Sequence, residues 1–177
     1  MLLSILVVIA VLIVLFCIVV ALRPDEFVVS RSTAISAPSP VVFEYVNDLH
    51  KWQEFSPWAK LDPAARNSFD GPRSGVGASF AWAGNSKVGE GRMTITESRP
   101  DELIRFRLDF LKPFAATNTA EFIFKYEGGK TVVTWSMSGK SNFFFKAMGL
   151  FMNCDKMVGS QFSEGLANLK ALAEAQR

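Results

Sequence analysis

The sequence has little of what most catalytic and metal sites are built from: one histidine and two cysteines in 177 residues. Cys17 lies inside an apolar run and Cys154 is far from it, so neither a disulfide framework nor a redox pair can be drawn. One histidine and two distant cysteines give no zinc pattern, and no Ser-His-Asp or Cys-His arrangement can be assembled around His50 alone. The glycines between 71 and 77 and between 84 and 91 lack phosphate-loop and dinucleotide spacings, and read as turns. No cofactor or metal is therefore expected. Basic runs are missing too, and the net charge of +2 gives no support to non-specific nucleic-acid binding.

Charge is also absent from Ile5 to Leu22, where Leu, Ile and Val dominate up to Arg23-Pro24. With Ser4 tolerated, Met1 to Leu22 is long enough to cross a bilayer as a helix. A buried soluble helix would show a polar face, and this one has none. The rival is a cleaved signal peptide, with Val19-x-Ala21 as a poor cleavage site. Against it stand the missing Lys or Arg at the start and an apolar run longer than the usual ~7–15 residues. Residues 1–23 are thus read as a single transmembrane helix and 24–177 as one domain of ordinary size. Arg23, with nothing basic before the span, leans the domain towards the cytoplasmic side.

What that domain has in abundance is aromatic rings. Almost all of the 16 phenylalanines and all four tryptophans follow the apolar run. A lined cavity explains that ring area; a core rich in large side chains is the plainer account. Glu26 to Ile35 alternates loosely and predicts a first strand. Ser36 or Ser39 is placed to cap the next helix, with Pro40 in its first turn, running to Asn47. A short helical stretch follows from Leu49 to Phe55 and is broken by Ser56-Pro57. From Phe80 onward the chain alternates as strands, Ile104, Phe106, Leu108 and Phe110 against Arg105, Arg107 and Asp109 being the clearest. Glu127-Gly128-Gly129-Lys130 predicts a hairpin turn. A last helix, Met152 to Ala175, carries Val158, Phe162, Leu166 and Leu169 as its stripe. Gly159 and Gly165 interrupt it, for close packing on the sheet or for ligand clearance. The order predicts an α+β domain in which a curved antiparallel sheet wraps a long C-terminal helix.

The strand ending in Ser-x-Ala-Pro, Val42-Phe43 on the next helix, then Asp48, Trp52, Ser56-Pro57-Trp58 and Asp62-Pro63, resembles the START-like, or helix-grip, superfamily. More narrowly it is similar to bacterial polyketide cyclase or dehydrase-like SRPBCC proteins. Gly75 and Gly77 before a strand with Trp82, Gly89-x-Gly91, and the segment from Asp155 past Gly165-Leu166 fit the same pattern, so the resemblance spans roughly Phe27 to Ala173. It implies a hydrophobic cavity between sheet and helix, and the N-terminal span places such a bacterial protein at the inner membrane. It attaches no reaction. The expected partner is a hydrophobic small molecule or lipid, with the membrane met through the N-terminal helix; the alternatives are a polyketide cyclase or dehydrase-like enzyme and a solid-core protein-interaction domain.

The candidate ligand-binding residues are Trp58, Trp82, Phe106, Phe124, Trp135, Phe144 and Phe162. Trp58 is placed at the cavity entrance, while Trp52 anchors the short helices to the sheet. Phe144 belongs to Phe143-Phe144-Phe145, which with Met148, Leu150, Phe151 and Met152 forms an apolar patch in an expected loop, Lys140 to Asn153. That patch is a pocket rim or gate, a membrane contact beside the anchor, or plain core. His50 is expected to face solvent beside Lys51, with Asp48 or Glu54 as its only nearby carboxylates. Arg105 and Arg107 are expected on the outer face, pairing with Glu121 or Asp109.

Overall fold

The computed structural model describes residues 2–151 and 153–176, with Cys154 by its backbone alone. An apolar helix, α1 (Leu2–Ala21), leads into β1 (Glu26–Ile35). Two short helices, α2 (Ser39–Asn47) and α3 (Leu49–Phe55), and a 3-10 turn, Pro57–Lys60, follow. Six strands come next: β2 (Arg66–Asp70), β3 (Ser79–Ala83), β4 (Glu90–Arg99), β5 (Leu103–Lys112), β6 (Ala116–Glu127) and β7 (Lys130–Lys140). The chain ends in α4 (Phe143–Met148) and α5 (Cys154–Ala175). The seven strands form one sheet, order β1-β7-β6-β5-β4-β3-β2, antiparallel throughout.

Alternation in β5, β6 and β7 leaves Leu103, Leu111 and Ile123 on one face and puts most of the apolar side chains on the other. That face curves round α5, whose Phe162, Leu166, Leu169 and Ala173 are buried against it. Two register shifts in the β4–β5 ladder, at Glu90/Gly91 and Ile95/Glu97, supply part of the bend. The outer face carries the charges. Arg105 Nε donates to Glu121 at 2.6 Å and Arg105 also pairs with Glu97, while Arg107 Nε meets Asp109 at 2.9 Å, as the alternation implied.

Three details differ from expectation. The cap of α2 is Pro38, with no side-chain bond, because the buried Ser39 hydroxyl lies 3.3 Å from Thr131 Oγ1 on β7. Strand β2 was not foreseen: Arg-Asn-Ser-Phe-Asp has no apolar alternation, and all five residues are exposed at the sheet edge. Pairing with β3, and not burial, makes it a strand. The expected loop between β7 and the last helix contains α4, capped by Asn142, whose side chain accepts from Phe145 N at 2.9 Å. The expected start of the last helix at Met152 lies outside the described residues.

Asp48 joins the short helices to the loop that leads into β3. Its side chain, only 8% exposed, accepts from His50 N at 2.9 Å as the cap of α3 and from Arg73 Nε at 2.7 Å. Burial raises its pKa, but the Arg73 hydrogen bond, the His50 amide and the charges of Arg73 and His50 outweigh that and hold it below 3.8. A depressed folded-state value means the contribution to stability is complete above the unfolded value and disappears as pH falls through the folded one. Asp48→Asn should therefore cost about 1–2 kcal/mol at neutral pH. Thermal melts should also show a shallower loss of Tm below about pH 4 than in the wild type.

Candidate functional site

Between sheet, α5 and the 3-10 turn lies a cavity of about 280 Å³. That is near the lower end of the ~300–1,000 Å³ typical of small-molecule pockets. Its floor is the inner face of the sheet: Phe80 and Trp82 of β3, Met93 of β4, Phe106, Leu108 and Phe110 of β5, then Ala120 and Met137. Val158 and Phe162 of α5 close one wall, and Trp52, Ser56, Trp58 and Ala59 another. All four tryptophans of the chain contribute to it.

The rings divide into two groups. Towards α2 and α3 they fill space: Phe122 stacks on Trp135 at 4.7 Å, Trp135 on Phe162 at 4.1 Å, and Trp52 stands edge-on to Phe55 at 4.9 Å. Centroid spacings of this kind are those of favourable aromatic pairs. Towards β3 they thin out, with Phe80–Trp82 at 5.9 Å and Trp82–Phe110 at 6.0 Å, and there the cavity opens. Both explanations of the aromatic excess, packed core and lined cavity, thus hold, and Trp52, Trp135 and Phe162 serve both, packed on one side and facing the cavity on the other.

Two glycines shape this arrangement. A Cβ on Gly91 would stand 2.6 Å from the Trp82 ring, so only glycine lets that indole lie across β4. A Cβ on Gly165 would stand 2.7 Å from Trp135 and 3.2 Å from Pro57, so Gly165 serves close packing of α5 on the sheet.

Five of the seven expected residues, Trp58, Trp82, Phe106, Trp135 and Phe162, come together in the wall. The other two do not. Phe124 packs on Phe43 at 5.4 Å in the filled half, because β6 has already passed under α2 at that point. Phe144 sits on α4 with Phe114 at 5.2 Å, outside the cavity, so a rim made by the triple phenylalanine is not what the structure holds. Trp52 anchors the short helices, as expected, and lines the cavity as well. Phe80, Leu108 and Phe110 were missed as wall residues, although their alternation with Trp82 and Phe106 already put them on the same face.

Polar groups in the wall are few. Ser56 makes no side-chain capping bond, and the buried Trp135 Nε1 has no hydrogen-bond partner among the described residues. Among those residues, Asp62 is the one ionisable side chain in the wall. Its oxygens accept from Ala64 N at 3.2 Å and Asn85 N at 2.7 Å. His50 lies away from the cavity, half exposed, stacked on Phe69 at 3.9 Å and with Nδ1 3.4 Å from Asp48. No three His, Cys, Asp or Glu side chains among the described residues form a group able to hold a metal.

A curved antiparallel sheet gripping a C-terminal helix over an aromatic cavity defines a helix-grip, START-like domain. Residues 26–174 match the family model described as polyketide cyclase / dehydrase and lipid transport, and the chain belongs to that family. No curated protein sequence matches it. Among solved structures it is similar to protein MLL2253 of Mesorhizobium loti, with TM-score 0.63 and 13% identity over 85% of this chain and 99% of the other. Protein CV1439 of Chromobacterium violaceum gives TM-score 0.60 and 14% identity over 86% and 99%. The di-domain ARO/CYC StfQ of the steffimycin biosynthetic pathway gives 0.61 and 12% over 85% of this chain and 51% of that one. At these identities the likeness is one of fold.

Proposed function

We propose that the protein is a membrane-tethered binding module for a hydrophobic small molecule or lipid, held in the aromatic cavity. The observation that carries this reading is the cavity itself, with all four tryptophans in its wall and a single carboxylate already engaged by backbone amides. Cyclisation or dehydration needs an acid or base facing the reacting atoms, and that wall favours holding a ligand over transforming it. The Ser56 hydroxyl would suit a ligand with one oxygen function on a largely apolar body. Helix α1, 20 residues long and apolar, is long enough to span a bilayer and supports the tether. Arg23 after it favours a domain on the cytoplasmic face of the inner membrane.

Because the tryptophans surround the cavity, their fluorescence reports its occupancy. A brominated aromatic acid or brominated fatty acid titrated into the full-length protein in detergent should quench most of the emission, saturably. Trp58→Glu should weaken binding at least tenfold, while Phe144→Glu should leave it within about twofold, since Phe144 is outside the wall. Linear, unsaturable quenching that is equal in both variants would contradict the reading.

A further inference from the structure

The register of the sheet fixes which parts of the domain stand next to α1. Glu26 pairs with Lys140, Gly139 with Asn118, Ala116 with Phe110, Lys112 with Glu90, and Ala83 with both Glu90 and Arg66. One end of the sheet therefore runs from the foot of α1 to the start of β2. The β5–β6 turn and α4 lie at that end, and so do the wall residues Asn67, Phe110 and Val158.

The same end carries an apolar surface left uncovered among the described residues. Leu111 is 56% exposed, Phe114 47%, Phe144 52% and Phe151 81%. The rings are continuous: Phe114 lies 5.2 Å from Phe144 and 5.8 Å from Phe145. Two contacts tie the surface to the anchor. Lys146 of α4 pairs with Asp25 just beyond α1, and the Phe151 ring stacks on Phe16 at 6.4 Å. Phe16 precedes the end of α1 at Ala21 by five residues, which is about 7 Å along a helix axis. A ring beside Phe16 is thus at lipid depth if α1 spans the bilayer. Interfacial helices bury their apolar faces by about 5–10 Å, and the depth of Phe151 agrees.

We propose that α4, Phe151 and the Leu111–Phe114 turn form a second membrane contact, which seats the domain on the bilayer and holds its cavity end against lipid. The occupant of this surface is the acyl and interfacial layer of the membrane that α1 crosses. The contact rests on the tether proposed above, and it adds that the domain lies on the surface instead of hanging free. Apolar cargo would then pass between lipid and cavity with little exposure to water.

The test uses the full chain with Cys17→Ser and Cys154→Ser, carrying one nitrobenzoxadiazole-labelled cysteine at a time. Leu12→Cys reports the anchor, Phe114→Cys and Phe151→Cys the second contact, and Glu127→Cys the opposite end of the sheet. Each is reconstituted into phosphatidylcholine–phosphatidylglycerol vesicles containing acyl-brominated lipid. The expected result is strong quenching at 12, quenching several-fold above the Glu127 control at 114 and 151, and a fall at 114 when Phe144→Asp is added. Quenching at 12 with 114 and 151 at the control level would overturn the second contact and leave the tether standing; that outcome would also follow if a second copy covered the surface. No quenching at any site would overturn both.

Discussion

Replacing Leu108 by tryptophan is expected to reduce ligand affinity at least tenfold while leaving the protein folded. Leu108 is half buried on β5, between the wall residues Phe106 and Phe110, and its side chain borders the cavity. An indole there would project beyond the leucine it replaces into a space of about 280 Å³ and narrow it between Phe106 and Phe110. Overpacking a filled core costs about 1–3 kcal/mol; here the added ring enters open volume, so the stability change should fall below that range. Quenching by the brominated probe measures the loss of affinity, and a thermal melt verifies the fold. Unaltered affinity would mean that the probe binds elsewhere.

The second large effect concerns Gly165, where local and tertiary preferences oppose each other. In an exposed helix, glycine to alanine gains about 1 kcal/mol. At this position the new methyl meets Trp135 at 2.7 Å, and Trp135 cannot retreat because it is stacked between Phe162 and Phe122. Gly165→Ala should therefore destabilise the protein by about 1–3 kcal/mol in spite of its better helix propensity. Urea unfolding measures it. In a Trp135→Phe background, where the ring edge facing α5 is shorter, the penalty should shrink, giving a coupling free energy between the two sites. A stabilising Gly165→Ala would show that α5 sits further from the sheet than described.

The elements that could be read from the sequence are those with a repeating pattern. Strand β1 and the alternating strands β5 to β7 follow from periodicity, since one buried face repeats its signal at every second residue, and α3 is bounded by Ser56-Pro57. Strand β2 could not be read that way, because an exposed edge strand leaves no apolar record. Helix α4 was hidden for a different reason: three consecutive phenylalanines break any amphipathic pattern, and its partners are α1 and the Leu111–Phe114 turn. In the cavity wall the tryptophans stood out by type. Phe124 and Phe144 were grouped with them, Phe144 as part of an expected rim, and position separates both: Phe124 packs on Phe43 of α2, and Phe144 lies on α4 against Phe114. What an alternating strand does not state is how far α5 stands from the sheet at each step. That distance depends on Gly165, Gly91 and the bend in β4, and it decides which rings pack and which ones line a space.

The proposed function requires that the aromatic cavity hold an apolar ligand. It is tested most directly by native mass spectrometry of the full-length protein, purified gently from the membrane in which it was made. A stoichiometric adduct of an apolar small molecule or lipid is expected, absent from Trp58→Glu and Leu108→Trp and retained by Phe144→Glu. A protein that emerges without adduct, and takes up neither lipids nor polyaromatic compounds when they are offered, would contradict it.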